Sequence, residues 1–313
     1  MSPGILPRGE EQEERGTAMA WEFADVFDAE IEPEDQEGQL SFWRDEPSDI
    51  RVGQMGYKRR TTKAGPRLEA EIYPVFGAEK KNQIREARKN RTPEKQRRLN
   101  EQRAKHRLVL LIDTNFGEGD YHLTLTYAGK APDLDRCKKD IRNFIDRVKR
   151  LRARRGLGEL KYIYAIGNDG KARIHVHMIM NGGIPRDELE SMWAKGRTNL
   201  VKLQPDEHGL QGIANYLFRQ NAEAKNTGDY AWQKTWVPSR NLKRPKTRKR
   251  DCKCSNARVK RLTSDISHRA KEIMEKLYPG YRFVQCIVKY SDIVDGVYIR
   301  CVMRKNEIKG VGA

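Results

Sequence analysis

Two runs and the break between them decide the fold: Leu160-Lys-Tyr-Ile-Tyr-Ala-Ile166, then Gly167-Asn-Asp-Gly170, then Arg173-Ile-His-Val-His-Met-Ile-Met180. The first run is apolar almost throughout, as a central strand is. The second alternates. Ile174, Val176, Met178 and Met180 point to one side, and Arg173, His175, His177 and Ile179 to the other. Joined by a tight turn, the two runs predict a β-hairpin.

Working outward, Tyr121-His-Leu-Thr-Leu-Thr-Tyr127 is a third strand, with Leu123 and Leu125 facing inward and His122, Thr124 and Thr126 opposite them. Pro132-Asp133 opens a helix whose apolar stripe is Leu134, Cys137, Ile141, Phe144, Ile145, Val148 and Leu151, ended by Gly156 and Gly158. A short helix starts at Pro185, with Leu189, Met192 and Trp193 on its stripe. Thr198–Leu203 reads as a strand, and residues 208–224 as a helix anchored by Leu210, Ile213, Leu217 and Phe218. The order β-α-β-β-α-β matches a ferredoxin-like split βαβ. The expected class is α+β, an antiparallel sheet with helices on one face, its other face open.

Composition sets the context. Of 313 residues, 37% are apolar and 34% charged, enough for one core but not for an entirely compact chain of this length. Residues 1–50 hold 3 basic and 15 acidic residues, a charge of −12, and predict an acidic, disordered arm. The remaining 263 residues hold 59 basic and 29 acidic, a charge of +30, which points to nucleic acid as partner. No run approaches the ~18 apolar residues of a membrane span, and the N-terminus lacks the apolar core of a signal peptide. Five scattered cysteines predict a reducing, cytoplasmic compartment rather than a disulfide scaffold.

The expected organisation is an arm at 1–50, a basic helical segment at 51–107, a core at 108–239, a basic linker at 240–263 and a small α+β region at 264–313. Within 51–107, Thr92 caps a helix that has Pro93 at its first position. In the last region a helix runs from Ser264 and strands span 282–290 and 297–303. The close thiols Cys252 and Cys254, with no second pair beside them, read as solvated linker residues rather than zinc ligands.

The chemistry gathers on the open face. His175 and His177 share one side of a strand, about 6.6 Å apart along it, where two imidazoles can hold one divalent ion. Arg173, Thr124 and Thr126 face the same way and suit DNA phosphates. Tyr216 stands on the last helix, with Arg219 and Gln220 one turn on and the side-chain-free Gly212 one turn before. A phenol beside a bound cation can attack a phosphodiester in line and form a phosphotyrosine, with Arg219 offsetting transition-state charge and Gln220 reaching DNA.

Three blocks, His122-Leu-Thr-Leu-Thr-Tyr127, Ile174-His-Val-His-Met178 and Asn215-Tyr-Leu-Phe-Arg219, occur in the order seen in the HUH (His-hydrophobic-His) endonuclease superfamily. The chain more closely resembles rolling-circle replication initiators of phages and integrative mobile elements. Asp113–Tyr127 is similar to their first motif, and Leu277–Tyr281 and Val288–Asp292 also fit that group. The resemblance implies His175 and His177 as ligands of Mg²⁺ or Mn²⁺, and Tyr216 as the nucleophile of a one-tyrosine enzyme. Its lysine three residues beyond the tyrosine is here Arg219. Its third ligand, a carboxylate, falls at Gly167, so Asn168 or Asp169 would have to replace it. The implied function is nicking and rejoining of single-stranded or hairpin origin DNA, with the helicase and polymerase supplied by the host.

The alternatives are a non-catalytic single-stranded DNA or RNA binder on the same fold, or a mobilisation relaxase. Tyr162 and Tyr164 lack the paired aromatic motif that RNA-recognition modules use. A two-histidine iron oxygenase is set aside, because that chemistry needs a third protein ligand and the basic body suits no small substrate.

Overall fold

The computed structural model describes residues 56–90, 92–129, 132–167, 174–225, 235–248, 251–265, 268–290 and 296–306. The acidic arm lies outside them, as do Asn168, Asp169 and Arg173. In chain order the described elements open with β1 (Tyr57–Ala64), β2 (Arg67–Pro74), α1 (Ala78–Lys89) and α2 (Pro93–Asn115). Then come β3 (Tyr121–Thr126), α3 (Leu134–Arg154), β4 (Tyr162–Gly167), β5 (His175–Met180), α4 (Arg186–Trp193), β6 (Thr198–Lys202), α5 (Gln211–Lys225) and β7 (Val237–Pro238). The last are β8 (Lys246–Thr247), β9 (Cys252–Cys254), α6 (Asn256–Ser264), α7 (His268–Leu277), β10 (Tyr281–Tyr290) and β11 (Val297–Lys305). They form two compact units, one from Ala64–Arg67 and Ala104–Pro245, the other from the rest.

The first unit is the α+β antiparallel core expected from the sequence. Its five strands run in the order β6-β3-β5-β4-β7, every pair antiparallel. Helix α3 starts where predicted: Asp133 caps it by accepting from the Arg136 N–H at 2.7 Å. Its stripe of Cys137, Ile141, Phe144, Ile145, Val148 and Leu151 packs on Leu123, Leu125, Val176, Met178 and Met180, with Trp193 of α4 closing the edge. Tyr162 and Tyr164 lie against this same core. They therefore face away from the side that carries the histidines.

To the expected helices on one face the structure adds a pair on the other. Ile163, Ala165 and Ile179 are covered by Leu108, Val109, Leu111 and Ile112 of α2 and by Ala214, Leu217 and Phe218 of α5. The magnitudes say which end of α2 anchors it. The exposed Glu94–Arg98 pair, at 2.8 Å, contributes about 0.3–0.5 kcal/mol, whereas burying each of Leu108 and Ile112 contributes about 1.5–3 kcal/mol.

A buried bracket fixes the start of α5. Asp113 accepts the Leu210 N–H at 3.1 Å and pairs with Arg67 at 3.6 Å; Arg67 in turn donates to the Gln211 side chain at 3.2 Å. Gly65, in the β1–β2 turn with φ +58°, allows the approach, because a Cβ there would overlap the Asp113 carbonyl oxygen.

The second unit holds the sheet β10-β11-β2-β1-β8, with β9 also pairing β1. Helices α6 and α7 cover it through Val259, Leu262, Ala270, Ile273 and Met274. Three expectations change here. The stretch 51–107 begins with the β1–β2 hairpin and turns helical only at Ala78, although Thr92 does cap α2, accepting from the Lys95 N–H at 3.3 Å. The stretch 240–263, read as a linker, carries β8, β9 and α6, because Ser255 caps α6 and Val259 and Leu262 anchor it. The helix read from Ser264 is two: α6 ends there and α7 begins at His268. Cys254 is also no solvated thiol; it is buried in the apolar core.

Candidate active site

The ladder sets side chains of neighbouring strands in rows on the α5 side of the first sheet. One row is Ile163, Ile179, His122 and Val201. The next is Ala165, His177, Thr124 and Asn199. The third holds Gly167, His175 and Thr126. Strand alternation alone puts both histidines on this side, but only the pairing brings Thr124 and Gly167 to them.

His175 and His177 lie with ring centroids 4.8 Å apart and planes at 85°. His177 is buried, only 2% exposed, and Thr124 Oγ1 lies 3.1 Å from its Nδ1. That contact orients the ring and leaves Nε2 directed at Tyr216, whose hydroxyl is 3.5 Å away. The phenol ring meets His177 edge-on, with centroids 4.9 Å apart. The tyrosine and the histidine strand, distant in sequence, thus meet at one point.

A third imidazole stands here that sequence reasoning placed on this side but did not select. His122 stacks on His177 at 5.5 Å and meets Tyr216 edge-on at 5.8 Å. Burial pushes its pKa down to about 4, so it stays neutral, and its buried Nε2 has no hydrogen-bond partner among the described residues. Lys105 of α2 was missed altogether. Burial lowers its pKa first, and the nearby charge of Arg219 lowers it further. Its sequence sign was weak: one lysine among many, one turn before the apolar run that starts at Leu108.

The other expected residues are placed as follows. Arg219 is exposed on α5. The Thr126 hydroxyl donates to the Arg197 carbonyl at 3.0 Å, so it braces a loop. Gln220 is in α5, but its side chain is outside the described set, as are Asn168, Asp169 and Arg173. Gly212 lies in the first turn of α5, and a Cβ there would meet nothing within 4 Å.

The fit of a metal turns on Gly167. A Cβ at that position would sit 2.5 Å from His175 Nε2, so the imidazole occupies the space a side chain there would need. No group of three or more His, Cys, Asp or Glu residues converges among the described residues. The donor set fits a cation held by two imidazoles, with its remaining positions left to water and substrate oxygens.

Residues 120–230 match a family model for replication-associated proteins of the ORF2 and gene-2-protein type. The match covers about a third of the chain and includes His122, Thr124, His175, His177, Tyr216 and Arg219. It supports a role in DNA replication. No curated protein and no solved structure matches the chain. Among the described residues, no helix is long and apolar enough to cross a membrane.

Proposed function

We propose that this protein initiates replication by nicking one DNA strand with Tyr216 and holding the cut end as a phosphotyrosine. The observation that carries the reading is Tyr216 Oη, 3.5 Å from Nε2 of His177, a ring itself held by Thr124. In the reaction the phenol loses its proton and its oxygen bonds to phosphorus. The bond from phosphorus to the 3′ oxygen breaks, and that oxygen takes a proton to become a free 3′ hydroxyl. The 5′ phosphate stays on Tyr216, and attack by a 3′ hydroxyl reverses the step.

His175 and His177 would hold the divalent cation. When bound, Mn²⁺ or Mg²⁺ supplies charge stabilisation for the phosphate, and the imidazole donors favour Mn²⁺ of the two. Arg219 and Lys105 answer the same need. Each suffers from the other's charge in the free protein, and an anion between them relieves that cost. His122 packs as a neutral wall and adds no competing charge. The partners of this reading are single-stranded or hairpin origin DNA and the polymerase and helicase of the cell in whose cytoplasm it acts.

The test is a denaturing gel of the protein with labelled hairpin DNA from around its own gene, with Mn²⁺ or with chelator. The native chain should form a metal-dependent adduct stable to heat and detergent, and Tyr216→Phe should form none. An adduct that survives in Tyr216→Phe moves the nucleophile elsewhere. The side-chain-free position 167 favours one second reading, a binding protein without cleavage; tight binding with no adduct on origin DNA would establish it.

A further inference from the structure

A cleft of about 590 Å³ opens beside His175, lined by Thr126, Tyr127, Ala128, Gly129, Ile174 and Arg197. Its volume falls in the range of small-molecule sites, roughly 300–1,000 Å³, and suits one nucleotide. Its wall is built rather than incidental. Beyond the last paired residues of β3 and β6, Thr126 N–H donates to the Arg197 carbonyl at 2.9 Å and Ala128 N–H to the Lys195 carbonyl at 2.8 Å. Trp193 Nε1 donates to the Thr126 carbonyl at 2.7 Å. Gly196 permits this packing, because a Cβ there would lie 2.4 Å from that same carbonyl oxygen.

The register then extends the third row by one residue: Gly167, His175, Thr126, Arg197. Arg197 lies two strands from His175, about 9–10 Å across the sheet, and one row, about 6.8 Å, beyond His177. That is too far to share the phosphate facing Tyr216 and about one nucleotide step from it. Its side chain is exposed at the mouth of the cleft. The wall that carries it is already ordered, so a ligand has little left to fix.

We propose that this cleft seats the nucleotide next to the scissile phosphate on a single DNA strand, with Arg197 paired to the flanking phosphate. The inference rests on the reading of Tyr216 as the attacking group, which sets where the strand lies. The apolar side of the cleft, at Ile174 and Tyr127, takes the sugar and base; the cation takes the backbone charge.

Binding of the full chain to fluorescein-labelled oligo(dT) across a salt series tests it. Arg197→Gln should weaken binding a few-fold and reduce the slope of log affinity against log salt by about 0.7, the share of one phosphate on a single strand. Arg197→Lys should restore the slope. Ala128→Trp, at an exposed position, fills the cleft without altering charge; it should weaken binding and leave the slope unchanged. If Ala128→Trp binds as the native chain does, the cleft holds no DNA and the proposal is overturned, whatever Arg197→Gln does. An unchanged slope in Arg197→Gln overturns the phosphate contact. The native protein's adduct, measured in parallel, reports separately on the nicking reading, because these binding effects do not depend on cleavage.

Discussion

At the scale of single residues, the site depends on small groups that make room or hold a ring. Thr124 orients His177 and has no other assigned work. Thr124→Val should keep the fold and lower adduct formation by about 10- to 100-fold, the usual loss when the partner behind a ligating histidine is removed. A thermal melt within a few degrees of native, run beside the gel assay, separates this from unfolding. Gly167 acts by lacking a side chain. Gly167→Ala should displace the His175 ring and lower Mn²⁺ affinity, read by electron paramagnetic resonance, as well as adduct yield. Native-like Mn²⁺ binding by that variant would refute the steric account. The histidine pair and Tyr216 were legible in the sequence because strand and helix periods show which residues share a side. His122 and Lys105 were not, since their nearness to the site comes from strand pairing and from helix α2, separated from the site in sequence.

At the scale of elements, α5 is only as well placed as its first turn. Asp113 and Arg67 form the buried bracket there. Removing one member of such a pair strands a charge, so Asp113→Ala should cost about 3 kcal/mol, at the low end for such pairs because Gln211 still accepts from Arg67. A urea melt measures the loss, and adduct yield should fall with it as Tyr216 loses its seat. The strands β3, β4 and β5 were legible because each alternates or is uniformly apolar. The β1–β2 hairpin was not. Arg59, Arg60 and Lys63 make its pattern look like a solvated segment, and Arg60 is buried only through Asp251, 191 residues away. The region read as a linker hid α6 for the same reason, its basic residues outnumbering the two that anchor it.

At the scale of the whole molecule, charge is the organising feature. An acidic segment of −12 precedes a body of +30 on one chain. Such a segment competes with DNA for the body, as any tethered polyanion does. Deleting residues 1–50 should therefore tighten binding to non-specific single-stranded DNA at low salt, and the difference should shrink as salt rises. Unchanged affinity at low salt, measured by fluorescence anisotropy, would remove this role for the arm.

The unit that carries the site is assembled from two separated pieces of chain, Ala64–Arg67 and Ala104–Pro245, while the family match covers only residues 120–230. A gene fragment cut to that match would encode every histidine of the site and the tyrosine, yet leave behind the Arg67 clasp and the half of α2 that roofs Ile163, Ala165 and Ile179. Expressed alone, it would present a greasy, unroofed sheet and precipitate or pair with itself. Recombination that shuffles this module between genomes therefore has to carry its upstream helix along, so the heritable cassette is longer than the motifs that advertise it.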